Sequence, residues 1–184
     1  MDRPKLYMMC GISGCGKTTY ARQFAQEHEV LYLNPDKFYE LFNGDERRHY
    51  HEFEIWMALF RALHMAEKDG TSVIFDTNSP TYVGRSQILD WFPGFEPHLI
   101  YIEASEELCR SNNAARRRVI PEDEMHNMIL AFQPPRVGED DRWQTMTFLQ
   151  NIDNTIRPHV RYEKSGEGYR AHLYEEEPSK EEAP

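Results

Sequence analysis

The amino-acid sequence predicts an α/β protein of three layers, a mostly parallel sheet of about five strands covered by helices on both faces. Three observations carry that expectation. Short apolar runs rich in β-branched and aromatic residues alternate with segments of helical period. A glycine-rich stretch, "GISGCGKT", joins the first apolar run to the first helical segment, and two later runs, in "LYLNPDKF" and "SVIFD", lead into an aspartate.

The elements follow in order. "KLYMMC" (5–10) reads as the first strand and "KTTYARQFAQEH" as the first helix, because Tyr20, Ala21, Phe24 and Ala25 recur at helical spacing. "VLYLN" is the second strand, and Asn34, Pro35 and Asp36 form a helix start signal in which Asp36 either caps a helix beginning at Lys37 or faces a ligand. From about His49 to Lys68, Phe53, Trp56, Phe60 and Leu63 mark one helical face, closed by Gly70. "TSVIFD" is the third strand, "VGRSQILDWF" a helix and "HLIYIEA" the fourth strand. "SEELCRSNNAARRR" reads as a helix opened by a serine cap with Glu107 near its start. "PEDEMHNMILAF" begins with proline in a first turn and stops before Pro134 and Pro135. "WQTMTFL" (143–149) is the fifth strand, and 160–174 reads as a hairpin around a glycine-containing turn, an edge addition or a homodimer contact.

This organisation divides the chain into a domain over 1–150, an extension over 151–174 and an acidic tail over 175–184. The chain has 184 residues, 40% of them apolar, a length suited to one domain with a real core. The formal net charge is -10, but the tail carries five Glu against one Lys and reads as disordered, which leaves a body of -6. That balance argues against a broad nucleic-acid-coating surface while leaving room for a local basic site. Two basic clusters exist, Arg47 with Arg48 and "RSNNAARRR" from Arg110 to Arg118. No charged, apolar leader and no membrane-spanning run is expected, and three cysteines without metal or redox spacing predict a reduced, cytoplasmic protein.

"GISGCGKT" satisfies G-x-x-x-x-G-K-[ST] between a strand and a helix, the setting a phosphate loop requires. Gly11, Gly14 and Gly16 let the backbone wrap an anion, Lys17 reaches the β and γ phosphates, and Thr18 binds magnesium. Ser13, Cys15 and Thr19 belong to the same nucleotide-binding stretch. The Cys15 thiol, beside a lysine and a helix start, is either without a chemical role or oxidation-sensitive. No guanine-reading N-K-x-D stretch is present, and one compact domain is small for a motor, so a kinase is the favoured class.

In a parallel sheet the carboxyl ends of the strands share an edge with the phosphate loop, and ligands bind there. Asp36 therefore faces the γ phosphate and can accept a proton from an attacking hydroxyl. Asp76 either holds magnesium through water or orients the acceptor. Thr77 and Asn78 reach a ligand or form a local turn. On a helix Asn113 and Arg116 share a face, as do Arg110 and Arg117; one arginine of the cluster neutralises the transferring phosphate and others hold donor or acceptor phosphates, Arg116 being favoured by its pairing with Asn113, while Arg117 and Arg118 read as a solvated basic face.

These stretches together resemble the 5′-kinase domain of the bacteriophage polynucleotide kinases and their relatives among zeta-toxin-like and small-molecule kinases. The resemblance covers residues 5 to 150 and rests on "GISGCGKTTYARQF", "LNPDKF", "IFDTN", "NNAARRRVIP" before a helix, and "FQPP". It implies a P-loop kinase-like fold with a basic helical lid around 105–135, ATP and Mg2+ as cofactors, and Lys17 and Thr18 as essential loop residues. It further implies Asp36 as general base, Asp76 as an acceptor-pocket carboxylate and Arg116 as the lid arginine on the donor phosphates. Two positions depart from the family. Tyr39 stands where an arginine near the acceptor is usual, and Asn112 where an arginine precedes the lid asparagine. Arg47 or Arg48 substitutes for the first and Arg110 for the second, or the acceptor differs; Tyr39 either stacks on a base or sugar or packs beneath the adjoining helix.

The expected activity is magnesium-dependent transfer of the γ phosphate of ATP to a hydroxyl, first of all the 5′-hydroxyl of DNA or RNA, in nucleic acid repair or modification. The alternatives are a kinase of hydroxymethylated bases in DNA, a nucleoside, sugar or other small-molecule kinase, and a non-catalytic regulatory or toxin-like nucleotide-binding protein. For a phage-encoded chain the compartment is the host cytoplasm.

Overall fold

A computed structural model describes residues 3–44, 50–116 and 118–174. Arg47, Arg48, Arg117 and the acidic tail lie outside the described residues. One seven-stranded sheet organises the chain, in the order β2, β3, β1, β4, β5, β6, β7, where β1 is Lys5–Cys10, β2 Leu31–Leu33, β3 Val73–Phe75, β4 Glu96–Ala104, β5 Thr145–Ile152, β6 Thr155–Ser165 and β7 Gly168–Leu173. The first five strands run parallel, with Met8 of β1 registered between Phe75 of β3 and Leu99 of β4. β6 and β7 return antiparallel.

The layering follows from alternation in the strands. Leu6, Met8 and Cys10 of β1 point to one face, where they meet Leu59 and Leu63 of α3 (Glu52–Asp69) and Leu89 of α4 (Tyr82–Trp91). Met9 points to the other, against Ala21 and Ala25 of α1 (Lys17–Glu27), Cys109 of α5 (Glu106–Ala114) and Met125 of α6 (Glu122–Ala131). The three-layer α/β architecture with a mostly parallel sheet is the one the sequence predicts. No helix among the described residues is long and apolar enough to cross a membrane.

Several local expectations change. α2 spans Pro35–Asn43, with Asn34 as the cap whose side chain accepts from Lys37 N at 3.4 Å and Pro35 in the first position, so the cap is Asn34 and not Asp36. α3 buries Ile55, Leu59, Leu63 and Ala66, while Phe53 is 74% exposed. Trp56 and Phe60 pack on the flank of the core, Phe60 with its ring 5.0 Å from that of Trp91. α5 ends at Ala114 because the Asn113 side chain bonds both Ile120 N and Ile120 O, at 3.0 and 2.9 Å, and draws the following chain back on itself. Arg116 and Arg118 therefore lie in the α5–α6 connection and not on a helical face.

The chain after 150 continues the sheet. β5 and β6 join through a two-residue loop, Asp153 and Asn154, both left-handed with φ of 51° and 64°, as the mirror-image hairpin turn demands. A bulge follows, since Phe148 faces Val160 but Leu149 faces Pro158, and a proline is tolerated where the ladder is already interrupted. Gly166, with φ 63°, makes the second turn between β6 and β7.

Candidate active site

The loop between β1 and α1 fills six residues that bend around their own amides. Gly14 adopts φ 93°, and a Cβ there would lie 2.3 Å from the Cys109 carbonyl oxygen of α5. The loop is thus pressed against a helix backbone that cannot yield. Left-handed backbone alone costs a residue with a Cβ about 1–2 kcal/mol, so Gly14→Ala is expected to weaken ATP binding about tenfold or more while β1 and α1 persist. Nucleotide titration with a circular dichroism control measures it; an unchanged affinity counts against this loop as the phosphate cradle.

α1 starts at Gly16, φ 100°, without a side-chain cap. Its first-turn amides have no acceptor within the helix, and with the helix dipole they favour an anion. Lys17 is 6% exposed, and its ammonium donates to Gly11 O at 2.6 Å and Ile12 O at 2.8 Å and lies 3.7 Å from Cys15 Sγ. Thr18 is half-buried and Thr19 exposed in the same first turn, while Ser13 is buried. Cys15 is 1% exposed. Burial pushes the neighbouring Cys10 and Cys109 thiols up, to about 12 and about 11, so both stay protonated at neutral pH.

Three asparagines brace this loop from outside. Asn112 of α5 donates to Gly14 O at 2.9 Å and to Asn154 Oδ1 at 2.7 Å, and Asn151 of β5 donates to Cys15 O at 2.9 Å. Asn78 accepts from Gly11 N at 3.4 Å through its carbonyl and from Ser13 Oγ at 3.5 Å through its side chain. Asn78 belongs to the predicted set. Asn112 and Asn151, and Asn154 behind Asn112, lie outside that set; a local signal exists for Asn154, the Asp-Asn pair between two strand-like runs.

The two strand-end aspartates occupy different surroundings. Asp76 is 3% exposed, and its Oδ2 accepts from Tyr32 OH at 2.8 Å and from Asn34 Nδ2 at 2.7 Å, tying the ends of β2 and β3 together. Asp36, in the first turn of α2, is more than half exposed and pairs with Arg118 Nη1 at 3.6 Å. The lid thus reaches the second strand end through Arg118, a residue the sequence assigns to a solvated face. Arg116 lies just past α5, exposed, with its amide on Asn113 O at 3.1 Å.

Arg110 and Tyr39 are placed otherwise than a ligand-facing role expects. Arg110 bonds Glu106 at 2.6 and 2.8 Å and also Glu122, a staple between α5 and α6 that uses its guanidinium fork. Tyr39 is 4% exposed and packs toward α3; burial and the Glu52 carboxylate raise its hydroxyl, so packing beneath the helix is the observed arrangement.

Among the described residues no group of three or more His, Cys, Asp and Glu side chains converges to hold a metal. Such a set fits a magnesium ion held mainly by phosphate oxygens and water, for which Thr18 offers a hydroxyl in the first turn of α1.

A family model described as an AAA domain matches residues 6–135. No curated protein matches the sequence. The fold is similar to that of a chain in the Pnkp1/Rnl/Hen1 RNA repair complex, with TM-score 0.62 at 23% identity over 71% of this chain and 44% of that one. It is similar to Kti12 of Chaetomium thermophilum, solved with ADP-AlF3, with TM-score 0.61 at 18% identity over 80% and 91%. It is also similar to a gluconokinase of Sinorhizobium meliloti, with TM-score 0.56 at 14% identity over 82% and 84%.

Proposed function

The chain belongs to the AAA domain family, and from that membership and the site's geometry we propose that it is an ATP-dependent kinase whose acceptor is a hydroxyl on a small molecule or nucleotide-type compound. The observation that carries this reading is the meeting of Asp36 and Arg118, 3.6 Å apart, at the carboxyl edge of the sheet that also carries the phosphate loop. A hydroxyl seated at Asp36 loses its proton to that carboxylate as its oxygen bonds to the γ phosphorus of ATP and the bond from that phosphorus to the β-phosphate oxygen breaks, releasing ADP. The transition state is loose, so holding the hydroxyl in line matters more than the strength of the base. Lys17 and Arg116 oppose the charge on the phosphate oxygens, and Arg118 restrains the carboxylate and closes the lid over it. Magnesium, when bound with the nucleotide, neutralises part of the phosphate charge.

Two observations favour a compact acceptor over a polynucleotide. Arg110 is already taken up by Glu106 and Glu122, so the basic cluster offers less charge to a strand than its sequence suggests. The net charge of -10 opposes long-range steering of a polyanion. The gluconokinase likeness accords with a small hydroxylated acceptor. The 5′-hydroxyl of DNA or RNA is the second reading, supported by the "LNPDKF" and "IFDTN" stretches and by the likeness to a chain of an RNA repair complex.

Initial rates at saturating ATP and magnesium decide between them. The panel comprises sugar acids, a nucleoside, its 3′-monophosphate, a 5′-hydroxyl oligonucleotide and hydroxymethylated DNA, at two salt concentrations. A compact acceptor is expected to match or exceed the oligonucleotide in kcat/KM, with little response to salt. An oligonucleotide advantage that shrinks as salt rises selects the polynucleotide reading, because phosphate contacts are screened. Transfer to the hydroxymethyl base instead of the 5′ end selects DNA modification.

A further inference from the structure

Arg85 of α4 is 1% exposed, deeper than Asp76 at 3% or Lys17 at 6%. Its Nε and Nη2 donate to the two carboxylate oxygens of Glu139 at 2.7 and 2.8 Å. Its Nη1 donates to Ser79 O at 3.0 Å and Gln133 O at 3.1 Å and lies 3.8 Å from Cys10 Sγ. One guanidinium therefore joins the end of β1, the β3–α4 connection and the α6–β5 connection. A buried ion pair is a poor source of stability, since well-packed apolar residues in its place are often neutral or better. What it supplies here is geometry.

The segment it holds is under strain. Ser79 has φ 43°, left-handed backbone that a residue with a Cβ rarely adopts. Its carbonyl is the one Arg85 grips, and Cys10 Sγ also donates to it at 3.5 Å. Next to it, Asn78 meets the phosphate loop through two long contacts, 3.4 Å to Gly11 N and 3.5 Å to Ser13 Oγ. From the other side Gln133 N donates to Pro80 O at 2.7 Å, and Gln133 Oε1 accepts from Tyr82 N at 3.0 Å.

We propose that Arg85, locked by Glu139, is a positioning residue that clamps the 76–81 connection so that Asp76 and Asn78 keep their register against the phosphate loop during transfer. The proposal rests on the kinase reading for its catalytic consequence. The clamp governs the Gly11–Ser13 half of the loop, whereas Gly14 and Cys15 are held independently by Asn112 and Asn151. Loosening it should slow transfer and spare nucleotide affinity.

The test is the Arg85→Met/Glu139→Met double variant of the full chain, which removes both charges together. The Ser86–Asp140–Arg142 network still anchors the neighbouring 140–142 segment to α4. The double variant is expected to melt near the wild-type temperature and to bind ATP within about threefold of wild type. Its kcat should fall about 10- to 100-fold, the scale of a small misplacement at a reacting centre, and amide exchange at 76–82 should quicken. Arg85→Lys, which keeps the charge but loses the fork, should fall between the two. A folded double variant with wild-type kcat and exchange overturns the proposal, as does an equal loss of ATP affinity and kcat. If the double variant does not fold, Glu139→Gln reads the same quantities. If wild-type protein phosphorylates no acceptor, the kinase reading fails by itself. The exchange measurement then decides the clamp: faster exchange confined to 76–82 upholds it, and unchanged exchange there overturns it.

Discussion

Lys17→Ala is expected to remove phosphoryl transfer from a protein that still folds. The ammonium lies across the loop on the Gly11 and Ile12 carbonyls at 2.6 and 2.8 Å, and a nucleotide's β and γ phosphates offer it stronger, charge-assisted partners. Losing one group that stabilises transition-state charge costs roughly 100- to 1,000-fold in kcat. Stability suffers less. Hydrogen bonds made by charged groups contribute about 1.5–3 kcal/mol, against a typical total of about 5–15 kcal/mol for a domain. The loop also keeps its braces from Asn78, Asn112 and Asn151. Lys17→Met, which retains the buried stem, separates lost charge from lost packing. Turnover by either folded variant close to wild type, at saturating ATP and magnesium, would remove Lys17 from the donor site.

The parts of the site that were legible in the sequence are those whose chemistry is local. A strand, a loop of three glycines and a helix are adjacent in the chain, so the phosphate loop declares itself in eight letters. The strand-end aspartates follow from the parallel topology that alternation implies. The braces are another matter. Asn112 reaches Gly14 across 98 residues and Asn151 reaches Cys15 across 136, and an asparagine at a helix end or strand end carries no local sign of a distant carbonyl partner. Arg85 is similar: nothing local in "VGRSQILDWF" marks it for burial, and its Glu139 partner lies 54 residues away.

Two misreadings share a physical origin. On α3 the expected face of Phe53, Trp56, Phe60 and Leu63 is only partly the buried one: Leu63 is buried together with Ile55 and Leu59, whereas Phe53 is exposed. Trp56 and Phe60 cover the seam toward Trp91 and Phe92 instead. Size weights a periodicity without deciding which of two overlapping stripes faces inward. In the lid, helical spacing paired Asn113 with Arg116, but the Asn113 amide satisfies the Ile120 backbone and ends the helix first. With the chain no longer helical, Arg118 reaches Asp36.

That contact sharpens the second large prediction. Asp36→Asn keeps the size of the side chain and an oxygen that can still accept from Arg118, but the amide cannot take a proton from an attacking hydroxyl. Loss of a general base costs roughly 100- to 10,000-fold in rate, and kcat should fall by that amount. Nucleotide affinity should not follow, because Asp36 belongs to the first turn of α2 and not to the phosphate loop. Folding should hardly respond, since an exposed ion pair contributes about 1 kcal/mol or less. Asp76→Asn gives the contrast. The Asp76 carboxylate is buried and accepts from both Tyr32 and Asn34, so that change is expected to lower the melting temperature as well as the rate. Single-turnover rates, nucleotide titration and thermal melts on both variants, with the best acceptor of the panel, read these differences. A maximal rate unchanged in Asp36→Asn would leave Asp36 only the electrostatic role of an acid in a helix's first turn, and the search for the base would move to the 76–81 connection.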